Sequence, residues 1–302
     1  MRHRGTARPR GAAPTTTALL AAVAALTALT GCGGSDDGAA RPDATGGTVS
    51  AAPRPDPRTA DALRAVERAV AGAGSARISS TTAMGDLLST RTEGALDWAG
   101  DSTGTLRITY TGGSLTEPLR KLGTTTMEAR LLPDAYYARV GEDFARRMGG
   151  RHWIRYDFDD LAELPGDSGA YLRDQLRDTA PVLPVRLLLA SGTVRETGRE
   201  TVGGRATRHY TGTVDVSALT DAALRRQLTD AGVTAERVDI WVDDRNLLVK
   251  KVERAEMTSG PMTQTAYYDT YGVRVAVQRP PTADTEDFEA LMGGQGSDKS
   301  SD

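Results

Sequence analysis

The sequence predicts an α+β fold, a long antiparallel sheet with helices gathered on one face. Three observations carry this. Residues 75–110 and 194–268 alternate apolar and polar side chains with a period of two. Short Gly-, Asp- or Pro-containing breaks separate the alternating runs, as in chains of hairpins. A few segments switch to the helical period instead. The count comes to about eleven strands and four helices.

The first helix is expected from a Thr59 cap to about Gly72, with Leu63, Val66 and Val70 on one stripe. Strands follow over Ser75–Met84, Ser89–Trp98 and Thr103–Tyr110. In the third, Leu106, Ile108 and Tyr110 share a face opposite Arg107 and Thr109, which predicts a half-buried strand. Thr125–Leu132 and Ala135–Val140 form a hairpin across Pro133-Asp134. His152–Phe158 then places Ile154, Tyr156 and Phe158 opposite Trp153 and Arg155. Ser168 is a candidate cap for a helix carrying Leu172 and Leu176, and Pro184–Ser191 reads as a short buried helix stopped by Gly192. Strands resume at Val194–Arg199 and Arg205–Val214. A helix with Leu224 and Leu228 precedes Arg237–Val242, Leu247–Met257 and Met262–Tyr268, with a tight turn at Asp243-Asp244-Arg245-Asn246.

The termini are of another kind. Arg2, Arg4, Arg8 and Arg10 precede an apolar run, Ala18–Leu29, of about a dozen residues. That suits a secretory signal and is short of the roughly 20 residues of a membrane-spanning helix. Leu29-Thr30-Gly31-Cys32 follows and resembles a lipobox, the site at which bacterial lipoproteins are cut and acylated. Cys32 is the single cysteine of the 302 residues. It makes no intramolecular disulfide, and its implied fate is to carry a diacylglyceryl group, two chains of which anchor stably where one binds marginally. Residues 33–58 are Gly, Ala, Asp, Thr and Pro with almost nothing to fill a core, and read as a disordered tether spanning on the order of 30 Å. The division expected is therefore a signal peptide over 1–31, acylated Cys32 and tether over 32–58, a domain over 59–292, and a polar tail over 293–302. The implied location is the cell membrane, lipid-anchored on its extracytoplasmic face.

Composition excludes some functions. A net charge of -3 and a pI near 5.8 leave no basic surface for nucleic acid. Gly166-Asp167-Ser168-Gly169 copies the residues around a serine-protease nucleophile, but Ala170-Tyr171 follows and no suitable histidine context precedes, so Ser168 reads as a helix cap. His152 and His209 lack partners at zinc-ligand spacing. Asp157, Asp159, Asp160, Glu163 and Asp167 lack the alternation and glycine of a calcium loop and read as a solvated acidic loop. No phosphate-binding loop or nucleophile elbow occurs. No metal, no cofactor and no catalysis are expected.

The second half resembles a known family. Glu200-Thr201-Val202-Gly203-Gly204, His209-Tyr210-Thr211-Gly212-Thr213-Val214-Asp215, Val238-Asp239-Ile240-Trp241-Val242-Asp243, Leu247-Leu248-Val249-Lys250-Lys251, Tyr268-Asp269-Thr270-Tyr271-Gly272 and Pro280-Pro281 succeed one another as in the LppX/LprG-type lipoproteins, related to the LolA-like carriers. The resemblance covers about Thr59 to Met292. It implies an open half-barrel of antiparallel strands wrapping helices on its concave face, and non-catalytic binding or carriage of lipid or glycolipid acyl chains in an apolar cavity. Candidate lining residues are Leu106, Ile108, Tyr110, Met127, Leu131, Val140, Leu187, Leu188, Tyr210, Val238 and Ile240. The implied partners are the membrane and a lipid or glycolipid. The alternative is an accessory lipoprotein without lipid cargo that binds an envelope transporter, a sensor or another envelope protein.

Overall fold

The computed structural model describes residues 55–163, 173, 177 and 179–294. Cys32 with its lipobox, most of the expected tether, and the Ser168 helix with Leu172 and Leu176 lie outside the described residues.

Helix α1 covers Pro57–Ala73. Its cap is Asp56, whose Oδ2 accepts from the Thr59 N–H at 3.1 Å, not Thr59 as the sequence suggests. Pro57, with no N–H to leave unsatisfied, fits the first helical position, so the helix starts earlier than expected. Leu63, Val66 and Val70 are fully buried along one stripe.

Strands β1 Ser75–Met84, β2 Leu88–Asp97, β3 Thr103–Gly112, β4 Thr126–Leu131, β5 Ala135–Arg139 and β6 Trp153–Asp157 run as an antiparallel meander. A second meander holds β7 Arg195–Val202, β8 Arg205–Asp215, β9 Val233–Val242, β10 Leu248–Met257 and β11 Gly260–Asp269. Pairing of β1 with β11, from Arg77 opposite Asp269 to Met84 opposite Met262, fuses the two into one sheet. A twelfth strand, β12 Thr285–Asp287, lies parallel to β6 at the far edge. The result is an open, curved, mixed sheet of twelve strands ordered β12-β6-β5-β4-β3-β2-β1-β11-β10-β9-β8-β7.

The sequence reading missed β12 and four short helices. These are α2 Thr116–Lys121, α3 Glu142–Arg147, α4 Phe158–Glu163 and α7 Phe288–Gly294, which join α5 Leu183–Ala190 and α6 Ala222–Asp230. Phe158 opens α4 instead of ending a strand, because Asp157 Oδ1 accepts the Asp159 N–H at 2.8 Å and turns the chain. Of the residues expected to form a solvated acidic loop, Asp157 ends β6, ion-paired to Arg155, Asp159 and Asp160 stand in the first turn of α4, and Glu163 closes that helix.

Side chains of the helix-facing side of the sheet form two cores. One spans β2–β6 and takes in Leu106, Ile108, Met127, Tyr136 and Ile154. The other lies between β8–β11 and helices α1, α5 and α6, and takes in Val66, Leu188, Tyr210, Ile240 and Leu228. Ile78, Ala180 and Tyr271 touch both and make them continuous. Helix α5 rides close on β8 because position 212 is glycine: a Cβ there would stand 2.9 Å from Leu188 Cδ2.

Candidate ligand-binding site on the concave face

The cross-strand register brings the predicted lining residues together. Ile108 lies opposite Met127 and Leu131 opposite Tyr136 in the first half, and Tyr210 lies opposite Ile240 in the second. Leu106, Ile108, Tyr110, Met127 and Leu131 all fall in the first core, and Leu187, Leu188, Tyr210, Val238 and Ile240 in the second. Val140 differs. It follows the end of β5 and is only partly buried at the margin of the first core. A cleft of about 550 Å³ opens between α1, α5 and α6, lined by Glu67, Leu183, Arg186, Leu189, Leu224 and Gln227. Leu183 and Leu189 also pack on the second core.

Three phenols stand among the aliphatic groups. Tyr110 Oη donates to Met127 Sδ at 3.7 Å, and the rings of Tyr136 and Tyr156 lie 5.9 Å apart. Tyr136 Oη is buried with no hydrogen-bond partner among the described residues. Burial raises the pKa of all three, so each stays a neutral donor.

The sequence reading overlooked a polar band crossing the same face. Thr92, Ser80, Ala266, Lys251 and Ile240 form one cross-strand row from β2 to β9. Thr90, Thr82, Gln264, Glu253 and Val238 form the next, and Glu236 lies one row on, opposite Ala255. Gln264 Nε2 donates to Thr82 Oγ1 at 3.2 Å, and Lys251 Nζ donates to Glu253. The side chains of Lys251 and Glu253 are 13% and 7% exposed, and Glu236 is 5% exposed. Burial pushes the Glu236 carboxyl up to about 8; the negative charge of Glu253 adds to this and Lys251 opposes it. Burial pulls the Lys251 ammonium down, but Glu253, Tyr268 and Glu236 together outweigh it and the net shift is upward. A signal for these residues existed: Ala255 and Met257 face inward, and counting back by two reaches Glu253 and Lys251.

His152 and His209 both lie against carboxylates away from this face. His152 Nδ1 lies 2.7 Å from Asp284 Oδ1 and its Nε2 3.3 Å from Glu142, where it fastens the chain entering β12. His209 stacks on Trp241 with centroids 4.2 Å apart on the outer face, its Nε2 3.0 Å from Asp239. Among the described residues no group of His, Cys, Asp and Glu has the geometry to hold a metal ion.

No family model matches the chain. It is 54% identical over 288 residues to a Streptomyces coelicolor protein named "Putative lipoprotein SCO4650", covering 93% of this chain and 95% of that one. It is 44% identical over 242 residues to an uncharacterized 31.2 kDa protein of Streptomyces griseus, covering 76% and 79%. Among solved structures it is similar to LppX of Mycobacterium tuberculosis (TM-score 0.48, 15% identity, 74% of this chain and 100% of that one). It is also similar to LprF of Mycobacterium bovis (TM-score 0.45, 16% identity, 75% and 99%).

Proposed function

Since the chain belongs to the family of the Streptomyces coelicolor lipoprotein, we propose that it is a membrane-anchored envelope lipoprotein that binds or carries acyl chains of lipid or glycolipid. The observation that carries this is the concave face: two apolar cores joined into one surface beneath helices, with a cleft of mixed polar and apolar lining between those helices. In this reading the cargo's chains lie between sheet and helices and displace the contacts that α5 and α1 now make with the core. Each CH₂ taken from water contributes about 0.8 kcal/mol, so an acyl chain can offset the partial opening of the helix layer.

Anchoring is assigned to Cys32, acylated on removal of residues 1–31, with 32–58 as tether to a domain over 59–292. This places the domain on the extracytoplasmic face of the cell membrane. No step of catalysis is invoked. The test is direct. The polypeptide from Gly33 onward is purified, its fold checked by circular dichroism, and its solvent extract analysed by mass spectrometry. Lipid at near one equivalent supports carriage. A folded protein that yields no lipid and binds no fluorescent acyl probe removes the reading and leaves the accessory, protein-binding alternative.

A further inference from the structure

A surface built only to shelter hydrocarbon has no use for the band on β1, β2 and β9–β11. Removing a single ion from water costs several kcal/mol even after relaxation, and a pair recovers this only with good geometry and further hydrogen bonds. Yet Lys251 and Glu253 are ion-paired on the concave face, with Glu236 one row away. Beside them Ser80, Thr82 and Gln264 are only partly buried, and Gln264 Nε2 donates to Thr82 Oγ1. The rows of the band run from β9, within the second core, to β2, where the first core begins.

We infer that this band is a headgroup subsite, which takes the polar end of an amphiphile whose chains lie on the flanking apolar cores, and that the headgroup it fits is neutral and hydroxyl-bearing. The inference rests on the lipid-binding reading above. Charge decides the class. An anionic headgroup approaching Lys251 meets Glu253, which already occupies the ammonium. A cationic headgroup finds Lys251 in its way. Hydroxyls both donate and accept, and so match Ser80, Thr82, Gln264 and the free lone pairs of the two carboxyl groups without an unpaired charge. The neutral phenols of Tyr110 and Tyr136 lie across the first core and add donors but no charge.

The experiment uses the polypeptide from Gly33 onward at pH 7, with a fluorescent C16 acyl probe displaced by three competitors of equal chain length. These are 1-monopalmitoylglycerol, methyl palmitate and palmitate. The glyceride is expected to displace the probe at about tenfold lower concentration than either other competitor, the equivalent of one to two extra hydrogen bonds. The variant K251M/E253M/E236L is expected to bring glyceride and methyl ester within about twofold. Gln264→Met with Thr82→Val, at partly exposed positions that spare the ion pair, is expected to lower the preference several-fold and keeps the test open if the triple variant does not fold. Equal displacement by glyceride and methyl ester, a preference for palmitate, or a glyceride preference untouched in the variants overturns the subsite and leaves lipid binding standing. Displacement by none of the three overturns both.

Discussion

Glu236 gives the most direct test of the buried charges. Its carboxyl titrates near 8 in the folded chain against 4.5 when free in solution, with burial the chief cause and Glu253 the second. Between these values the folded state holds a proton that the unfolded state has released, so stability falls as pH rises. The slope is roughly 1.4 kcal/mol per pH unit, or about 4–5 kcal/mol over the whole window. Glu236→Gln keeps shape and removes the titration. Urea unfolding followed by the fluorescence of Trp98, Trp153 and Trp241 at pH 5 to 9 reads the difference. At pH 5, where both side chains are neutral, variant and wild type are expected within about 1 kcal/mol. By pH 9 the variant is expected to be about 3–5 kcal/mol more stable. Parallel profiles over this range would show that Glu236 is not buried beside Glu253 and would sink the argument.

Other perturbations test other parts of the fold. Hydrogen bonds to Asp284 and Glu142 raise the His152 pKa, a contribution present below about 6.5 and lost as pH rises through the folded value. Asp284→Asn is expected to bring the His152 titration, followed by NMR, back towards the ordinary range; an unmoved titration would mean that the pair does not form. Leu188 is fully buried where α5 meets β8, and Leu188→Ala is expected to cost about 2–5 kcal/mol in denaturant unfolding. A loss below about 1 kcal/mol would place α5 off the sheet. At Gly94 in β2 a Cβ would stand 2.1 Å from the Thr105 carbonyl oxygen of β3, so Gly94→Ala is expected to cost about 1–3 kcal/mol by forcing the strands apart. Asp56→Ala removes the α1 cap and should cost about 1 kcal/mol, measurable as a lower Tm.

Much of this was legible from residue order. Leu106, Ile108 and Tyr110 alternate with polar neighbours, and the same parity continues across β4 through Met127 and Leu131, because each strand buries one face. Strand β12 was not legible. Thr285-Glu286-Asp287 carries no apolar alternation and owes its place to main-chain pairing with β6 and to Asp284, which meets His152 from far along the chain. The short helices α2 and α3 are one and a half turns each and too brief to show a period. The band around Lys251 was missed for a different reason. The habit of sending charged residues outward overrode parity, though Val238 and Ile240 already marked the side of β9 on which Glu236 lies. Residues that violate a pattern this regular are the ones a bound molecule would justify.

The sheet ends at β12 on one side and β7 on the other, and these edges do not meet. In a closed barrel the radius is set by strand number and stagger, and the bore is a constant of the architecture. Twelve strands with free ends obey no such rule. Their girth is set by the coil of the sheet and by how far the helices stand off it, both continuous quantities. For the acyl cargo proposed above, such a sheet would set no single gauge: chains of different length and number would be met by a change of curvature spread over many strand pairs, with no ladder of hydrogen bonds broken.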